Sequence, residues 1–159
     1  MTTDREIPGD NLLSLPSNGK KRIVIIGAGF AGLKLARSLK GKHFQVVLID
    51  KNNYHQFQPL FYQVASAGIE PSSIAFPLRK VFQGRKDVLI RITEAKEIVP
   101  SENRLITDSG IIAYDYLVIA SGADTNYFGL KSIEKYSLAM KSVSESMLIR
   151  NTILENFEK

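Results

Sequence analysis

IVIIGAGFAGLKLARSL, residues 23–39, places three glycines (Gly27, Gly29 and Gly32) within six positions, between a β-branched run and a segment of helical period. RIVII at 22–26 is apolar without alternation, as expected of a strand buried on both faces of a parallel sheet. Leu33, Ala36 and Leu39 then recur as one face of a helix, for which Gly41 reads as the stop. A second apolar run, FQVVLID at 44–50, follows. Strand, helix and strand over about 30 residues make a βαβ unit.

The glycine spacing has a chemical reading. The first glycine permits the tight turn from strand to helix, the second lets a pyrophosphate approach the backbone, and the third lets the helix lie close on the sheet. The phosphates then rest on the amino end of the helix that opens with Phe30 and Ala31, where unpaired N–H groups and the positive dipole end favour an anion. Asp50 lies 18 residues after Gly32 at the carboxyl end of the second strand, the place for a carboxylate that accepts from an adenosine ribose. A 2′-phosphate there would meet like charge, so NAD or FAD is expected rather than NADP, with Lys51 weakening that inference. The alternative, a glycine turn used only for helix-strand packing, leaves Asp50 unexplained.

A chain of 159 residues has room for one domain with a full core and not for a two-domain enzyme. Lys and Arg exceed Asp and Glu by 21 to 16, a net +5 that does not imply nucleic acid without a motif, and no such motif is present. Cysteine is absent, which removes disulfides, thiol redox chemistry and Cys-based zinc sites, and two His give little with which to build a metal site. No stretch has the apolar length of a signal peptide core or a spanning helix, so a cytosolic chain is the expectation.

Residues 1–20 read as a disordered lead-in, 21–141 as the dinucleotide-binding domain and 142–159 as a helix leading onward. Within the domain, a short helix is expected over Phe61–Ala67 and a second over Ser73–Gln83, with Pro77 in its first turns and Gly84 as its end. DVLIRIT, EAKEIVP, NRLITDSG and IIAYD, separated by turn signals, read as an antiparallel meander. YLVIASGA, 116–123, reads as another buried strand running into a small-residue turn. The last helix has a capping box, Ser142 with Glu145. Its apolar positions Met147, Ile149, Ile153 and Phe157 keep their period without a stop signal, as in a chain that naturally continues or in a fraying terminal helix.

A meander between the first βαβ unit and an ASG turn resembles the FAD domain of the two-dinucleotide-domain flavoproteins related to glutathione reductase. The fold expected is therefore α/β, a Rossmann-like FAD-binding domain with a parallel sheet plus an antiparallel β-meander. Within that group NYHQFQPLFYQVASAGIEPSSIAFPLR (53–79) and YDYLVIASGADTNYFG (114–129) resemble the type II NADH dehydrogenases, single-subunit NADH:quinone oxidoreductases, and the resemblance runs over residues 22–159. It implies that Gly27, Gly29, Gly32 and Asp50 hold the ADP half of FAD, and that Asn53, Phe57, Gln58, Pro59 and Leu60 lie along the ribityl and flavin side. It also implies that Ala95 meets the adenine through its backbone and that Ala120, Ser121 and Gly122 pack over the pyrophosphate. Asp50 departs from the Glu often found at its position.

His55 is read as a structural residue rather than a catalytic base, the aromatics of 54–62 as either core or cofactor wall, and Arg79, Lys80, Arg85 and Lys86 as a solvated helix end. No catalytic residue is assigned. The sequence has no second GxGxxG for NADH. The expectation is an N-terminal portion of an enzyme that takes electrons from NADH through FAD to a quinone, inactive by itself and prone to self-association. The parent would sit peripherally on the inner face of the cytoplasmic membrane, attached through its C-terminal region. A freestanding non-catalytic dinucleotide-binding module is the alternative.

Overall fold

Both uninterrupted apolar runs become strands of one parallel sheet in a computed structural model, which describes residues 12–39 and 43–159. The first eleven residues and Gly41, read as a helix stop, lie outside the described residues. In chain order the elements are β1 (Lys21–Ile26), α1 (Phe30–Ser38), β2 (Phe44–Asp50), β3 (Tyr54–Gln56), α2 (Phe61–Ala65), β4 (Ala75–Pro77) and α3 (Leu78–Val81). They continue with β5 (Val88–Ile92), β6 (Ala95–Val99), β7 (Arg104–Thr107), β8 (Gly110–Ala113), β9 (Tyr116–Ile119), α4 (Lys131–Tyr136) and α5 (Val143–Phe157). The chain divides into two units, one made of the chain up to Asn53 with Phe82–Ser121, the other of Tyr54–Val81 with Gly122–Lys159.

In the first unit the parallel strands lie in the order β5-β2-β1-β9. Val24, Val47 and Ile49 form its core together with Leu105 and Ile112 from the antiparallel sheet β6-β7-β8. The helix α1 buries only Gly32 and Ala36, small residues that let it lie close. DVLIRIT is not part of the meander. β5 pairs in parallel with β2, from Val46 with Val88 to Asp50 with Ile92. The whole of 51–87 intervenes, far beyond the dozen or so residues that a parallel crossover needs. β9 is also less buried than its composition suggests: Tyr116 is 47% and Ile119 65% exposed. Among the described residues it pairs with β1 alone.

Part of the expected lead-in is held by the fold. The Leu13 N–H donates to the Ile111 carbonyl (2.8 Å), the Gln45 Nε2 donates to the Pro16 carbonyl (2.5 Å), and Leu13 and Leu15 pack on the core. The alternation of Leu13 and Leu15 was hidden by the Pro, Gly and Asn around it. Arg85 differs in the same way from its reading as a solvated charge. Its guanidinium is paired with both oxygens of Asp87 (2.7 and 2.6 Å) and donates to the Leu39 carbonyl (3.2 Å) at the end of α1. The hydrogen bond to Asp87 raises its pKa above the ordinary value against the opposing effect of burial, so the cap stays charged.

In the second unit β3 and β4 pair antiparallel, and Phe61, Val64, Ile74 and Val143 form a small core. The helix expected over 73–83 is replaced by a one-turn 3-10 segment at Pro71–Ser73, then β4, then the single turn α3. Pro77 biases Phe76 away from the helical region, and the Ile74 carbonyl is taken by the Phe57 N–H (2.9 Å). α2 stops at Ala65 because Ala67 turns left-handed (φ 59°), where the Gly68 N–H donates to the Gln63 carbonyl (2.7 Å). α4, a six-residue helix, adds to the elements expected from the sequence. In α5 Ser142 Oγ accepts from the Glu145 N–H (3.1 Å), whereas the Glu145 carboxylate accepts from Lys141 (2.6 Å), one residue before the usual partner.

Two substitutions measure these local devices by urea unfolding. Arg85→Ala should lower stability by about 1–2 kcal/mol, since carbonyls at the end of α1 and the Asp87 carboxylate lose a charged donor. Ala67→Gly should raise it by about 0.5–1 kcal/mol by relieving a left-handed L-residue.

Candidate dinucleotide site

The register of the parallel sheet sets the site. Ile26 of β1 stands level with Ile49 of β2 and with Ile119 of β9, so Gly27, Asp50 and Ala120 emerge side by side from the carboxyl ends of three adjacent strands. The Gly27 N–H donates to the Ile49 carbonyl and the Ala120 N–H to the Ile26 carbonyl, each at 2.8 Å. Numbered along the chain, the four parallel strands have the order 3-2-1-4, which reverses direction at β1. Ligands of open α/β sheets bind outside the carboxyl ends at such a reversal.

The three motif glycines answer to different constraints. Gly27 has φ 99°, and a Cβ on it would come 2.8 Å from the Ala120 carbonyl carbon. A Cβ on Gly32 would collide with the Gly27 carbonyl oxygen. Those two are required by the protein itself. Gly29 is not: its φ of −68° is open to any residue, and a Cβ there would meet nothing within 4 Å. The space in front of Gly29 is therefore open, and a side chain there would occupy it.

Electrostatics select what fits it. Gly29 caps α1 without a side-chain hydrogen bond, and the first turn, which includes Phe30 and Ala31, holds no acidic residue. The amino end of α5, by contrast, is closed by Ser142 and Glu145. A helix start without an acidic residue or a side-chain cap, beside an open glycine, is suited to a diphosphate.

Asp50 faces the turn. Its Oδ2 accepts from the Ala28 N–H and its Oδ1 from the Asn52 N–H, both at 2.7 Å. A carboxylate has about four acceptor positions, so two remain for ribose hydroxyls. Through Ala28, Asp50 ties the glycine turn to the end of β2. The Asn52 contact is an Asx turn, which the sequence Asp50-Lys51-Asn52 could have signalled; the Ala28 contact needed the sheet. Lys51 next to it is exposed.

Ala95 opens β6 at a β-bulge, just past the end of β5, whose following residue Thr93 donates its N–H to the Asp50 carbonyl (3.0 Å). Beside it Lys96 bridges Glu94 and Asp108 (2.7 and 3.2 Å), and those hydrogen bonds raise its pKa. Asn53 and Ser121 are the last residues of the two stretches of the first unit, Ala120 precedes Ser121, and Gly122 (φ 74°) opens the second stretch of the other unit.

Phe57, Gln58, Pro59 and Leu60 all belong to the second unit, where Phe57, Gln58 and Pro59 are exposed and Leu60 is half-buried. Their loop is held by the Phe57 bond to Ile74 and by Leu60 N–H donating to the Phe57 carbonyl (3.1 Å). His55 is 7% exposed and stands opposite Phe76 in the β3-β4 pair. Among the described residues no group of three or more His, Cys, Asp and Glu is placed to hold a metal ion.

Residues 21–154 match the family profile described as pyridine nucleotide-disulphide oxidoreductase. The chain is 34% identical over 144 residues to the type II NADH:quinone oxidoreductase NdhA of Mycobacterium tuberculosis, an alignment covering 88% of this chain. It is 33% identical over 153 residues to the mitochondrial external alternative NAD(P)H-ubiquinone oxidoreductase B2 of Arabidopsis thaliana, again over 88% of this chain. The chain spans only 31% and 26% of the lengths of those two relatives. In structure it is similar to NDH2 from Plasmodium falciparum in complex with NADH, with a TM-score of 0.79 and 25% identity over 87% of this chain and 30% of that one. The sulfide:quinone oxidoreductase of Aquifex aeolicus follows at a TM-score of 0.75 and 27% identity, over 87% of this chain and 33% of that one. Because the family profile takes in most of its residues, the chain belongs to the pyridine nucleotide-disulphide oxidoreductase family.

Proposed function

We propose that these residues form the FAD-binding part of a flavoprotein oxidoreductase that passes electrons from NADH through FAD to a quinone. The observation that carries the reading is Gly29, a glycine that the protein's own packing does not require, at a helix start with no side-chain cap, next to Ala28, which the Asp50 carboxylate holds. On this reading the N–H groups around Gly29, Phe30 and Ala31 bind the diphosphate, with Gly27 and Gly32 shaping the turn. Asp50 accepts from the ribose, with Lys51 beside it, and the backbone of Ala95 meets the adenine. Ala120, Ser121 and Gly122 pack over the diphosphate, and Asn53, Phe57, Gln58, Pro59 and Leu60 serve the ribityl and flavin side. When bound, FAD supplies the group that accepts electrons from a nicotinamide and hands them on. The chain's own residues orient it and keep its charged linker paired.

Quinone as acceptor is supported by the names of the two relatives above. The single GxGxxG is assigned to FAD, so NADH is bound by residues other than these, and the chain alone is inactive. No helix among the described residues is long and apolar enough to cross a membrane. The location supported by the resemblance is a peripheral one, on the inner face of the cytoplasmic membrane through a C-terminal region. The isolated chain self-associates through exposed apolar side chains such as Phe128 and Phe157, 83% and 84% exposed.

Flavin uptake, read as absorbance that persists through gel filtration, tests the assignment. Gly29→Ala should weaken FAD binding by about 10- to 100-fold, the scale of one lost charge-assisted hydrogen bond. It should change fold stability by less than about 1 kcal/mol. Asp50→Asn should weaken binding and also lower stability by about 1–3 kcal/mol, because one of the two amides it serves loses its acceptor. Unchanged flavin affinity in Gly29→Ala, or tight NAD binding with no flavin uptake, would refute the assignment.

A further inference from the structure

Gln56 ends β3, and the residues that follow it are the loop 57–60 assigned above to the flavin side. Its Oε1 accepts a hydrogen bond of 2.7 Å from the backbone N–H of Val143, 87 residues further along the chain. Val143 is the first residue of α5, and its side chain is buried with Phe61, Val64 and Ile74. An N–H at the first position of a helix has no partner within the helix, and leaving one unpaired in a buried place is costly. The neighbouring amides of this helix start are served locally: Glu145 by Ser142 Oγ, Ser146 by the Ser142 carbonyl, and Lys141 by the Glu145 carboxylate. The Val143 amide depends instead on a side chain from the flavin-side strand. α5 buries only Val143 and Ser146, while Met147, Leu148, Ile153, Leu154 and Phe157 are exposed, so its setting in the second unit is decided at its first turns.

We propose that Gln56 is a positioning residue that couples the flavin-side loop to the start of α5, so that FAD held at 57–60 is felt as a tighter Val143 amide. The inference rests on the FAD reading above. Linkage makes it reciprocal: a change that frees α5 also weakens the hold of the loop on the flavin. Gln56 is chemically fit for this role because one oxygen meets the helix amide while its backbone stays in the β3 ladder, opposite Ala75.

Amide hydrogen exchange on the full chain, with and without FAD as the probe, tests the coupling. In the unaltered protein FAD should slow exchange at Val143 by roughly tenfold, the ratio given by one hydrogen bond of ordinary strength. Gln56→Met, of similar length but without an acceptor, should abolish that FAD dependence while flavin is still taken up. Gln56→Glu, which keeps an acceptor at the helix start, should retain it. Val143→Pro removes the donor at a position where helices tolerate proline. It should remove FAD-dependent protection from Ser146 to Leu148, and combining it with Gln56→Met should add nothing. FAD-dependent protection that survives in Gln56→Met, or flavin uptake by the unaltered chain with no effect on α5, overturns this proposal alone. A chain that takes up no flavin overturns the cofactor reading with it.

Discussion

The site depends on one close approach, that of the end of β9 to Gly27. A Cβ at Gly27 would lie 2.8 Å from the Ala120 carbonyl carbon, so the two strand ends can sit this close only around a glycine. That contact brings the small-residue turn at 120–121 alongside the glycine turn. On the other side the Gly27 N–H is tied to Ile49, and Asp50, the next residue, returns its carboxylate to the Ala28 N–H. The turn is thus clamped from both flanking strands. It is pre-shaped by the protein rather than waiting for a ligand to order it, which lowers the cost of binding.

Magnitudes decide what does the holding. The dipole of a helix start is worth about 0.3–1 kcal/mol to an anion in exposed settings. Hydrogen bonds to a charged group are worth about 1.5–3 kcal/mol each. On the proposed reading the start of α1 would therefore act chiefly through hydrogen bonds, with the dipole as a smaller addition. The same rule explains the difference between the two longest helices. α5 meets its first-turn amides with Ser142, Gln56 and backbone, and is closed to a ligand there. The N-cap of α1, Gly29, has no side chain to close its helix start in that way.

Much of this was legible because it is local. The glycine spacing, the two apolar runs and the acid at the end of the second lie within residues 22–50, and short-range sterics fix their meaning. What escaped depended on partners distant in sequence. VLIRI has the same composition whether it joins a meander or a parallel sheet, and only its pairing with β2 decides. The helix read at 73–83 failed at Pro77 and Phe76, where pairing with Tyr54 and His55 outweighs periodicity. Arg85 looked like one of four exposed cations until Asp87 and the end of α1 claimed it. In the site, Asp50 stood out by its place at the end of the second strand but its hold on Ala28 did not, and Gln56 carried no signal because its partner is on α5.

A crystal structure of the chain with FAD is the most direct measurement of the central claim. The account predicts diphosphate oxygens within hydrogen-bonding distance of the N–H groups at the start of α1, with the adenosine ribose on Asp50 and the Ala28–Asp50 bond unchanged. A flavin whose diphosphate lies away from Gly29, or a carboxylate of Asp50 rotated off the turn to reach its ligand, would contradict it.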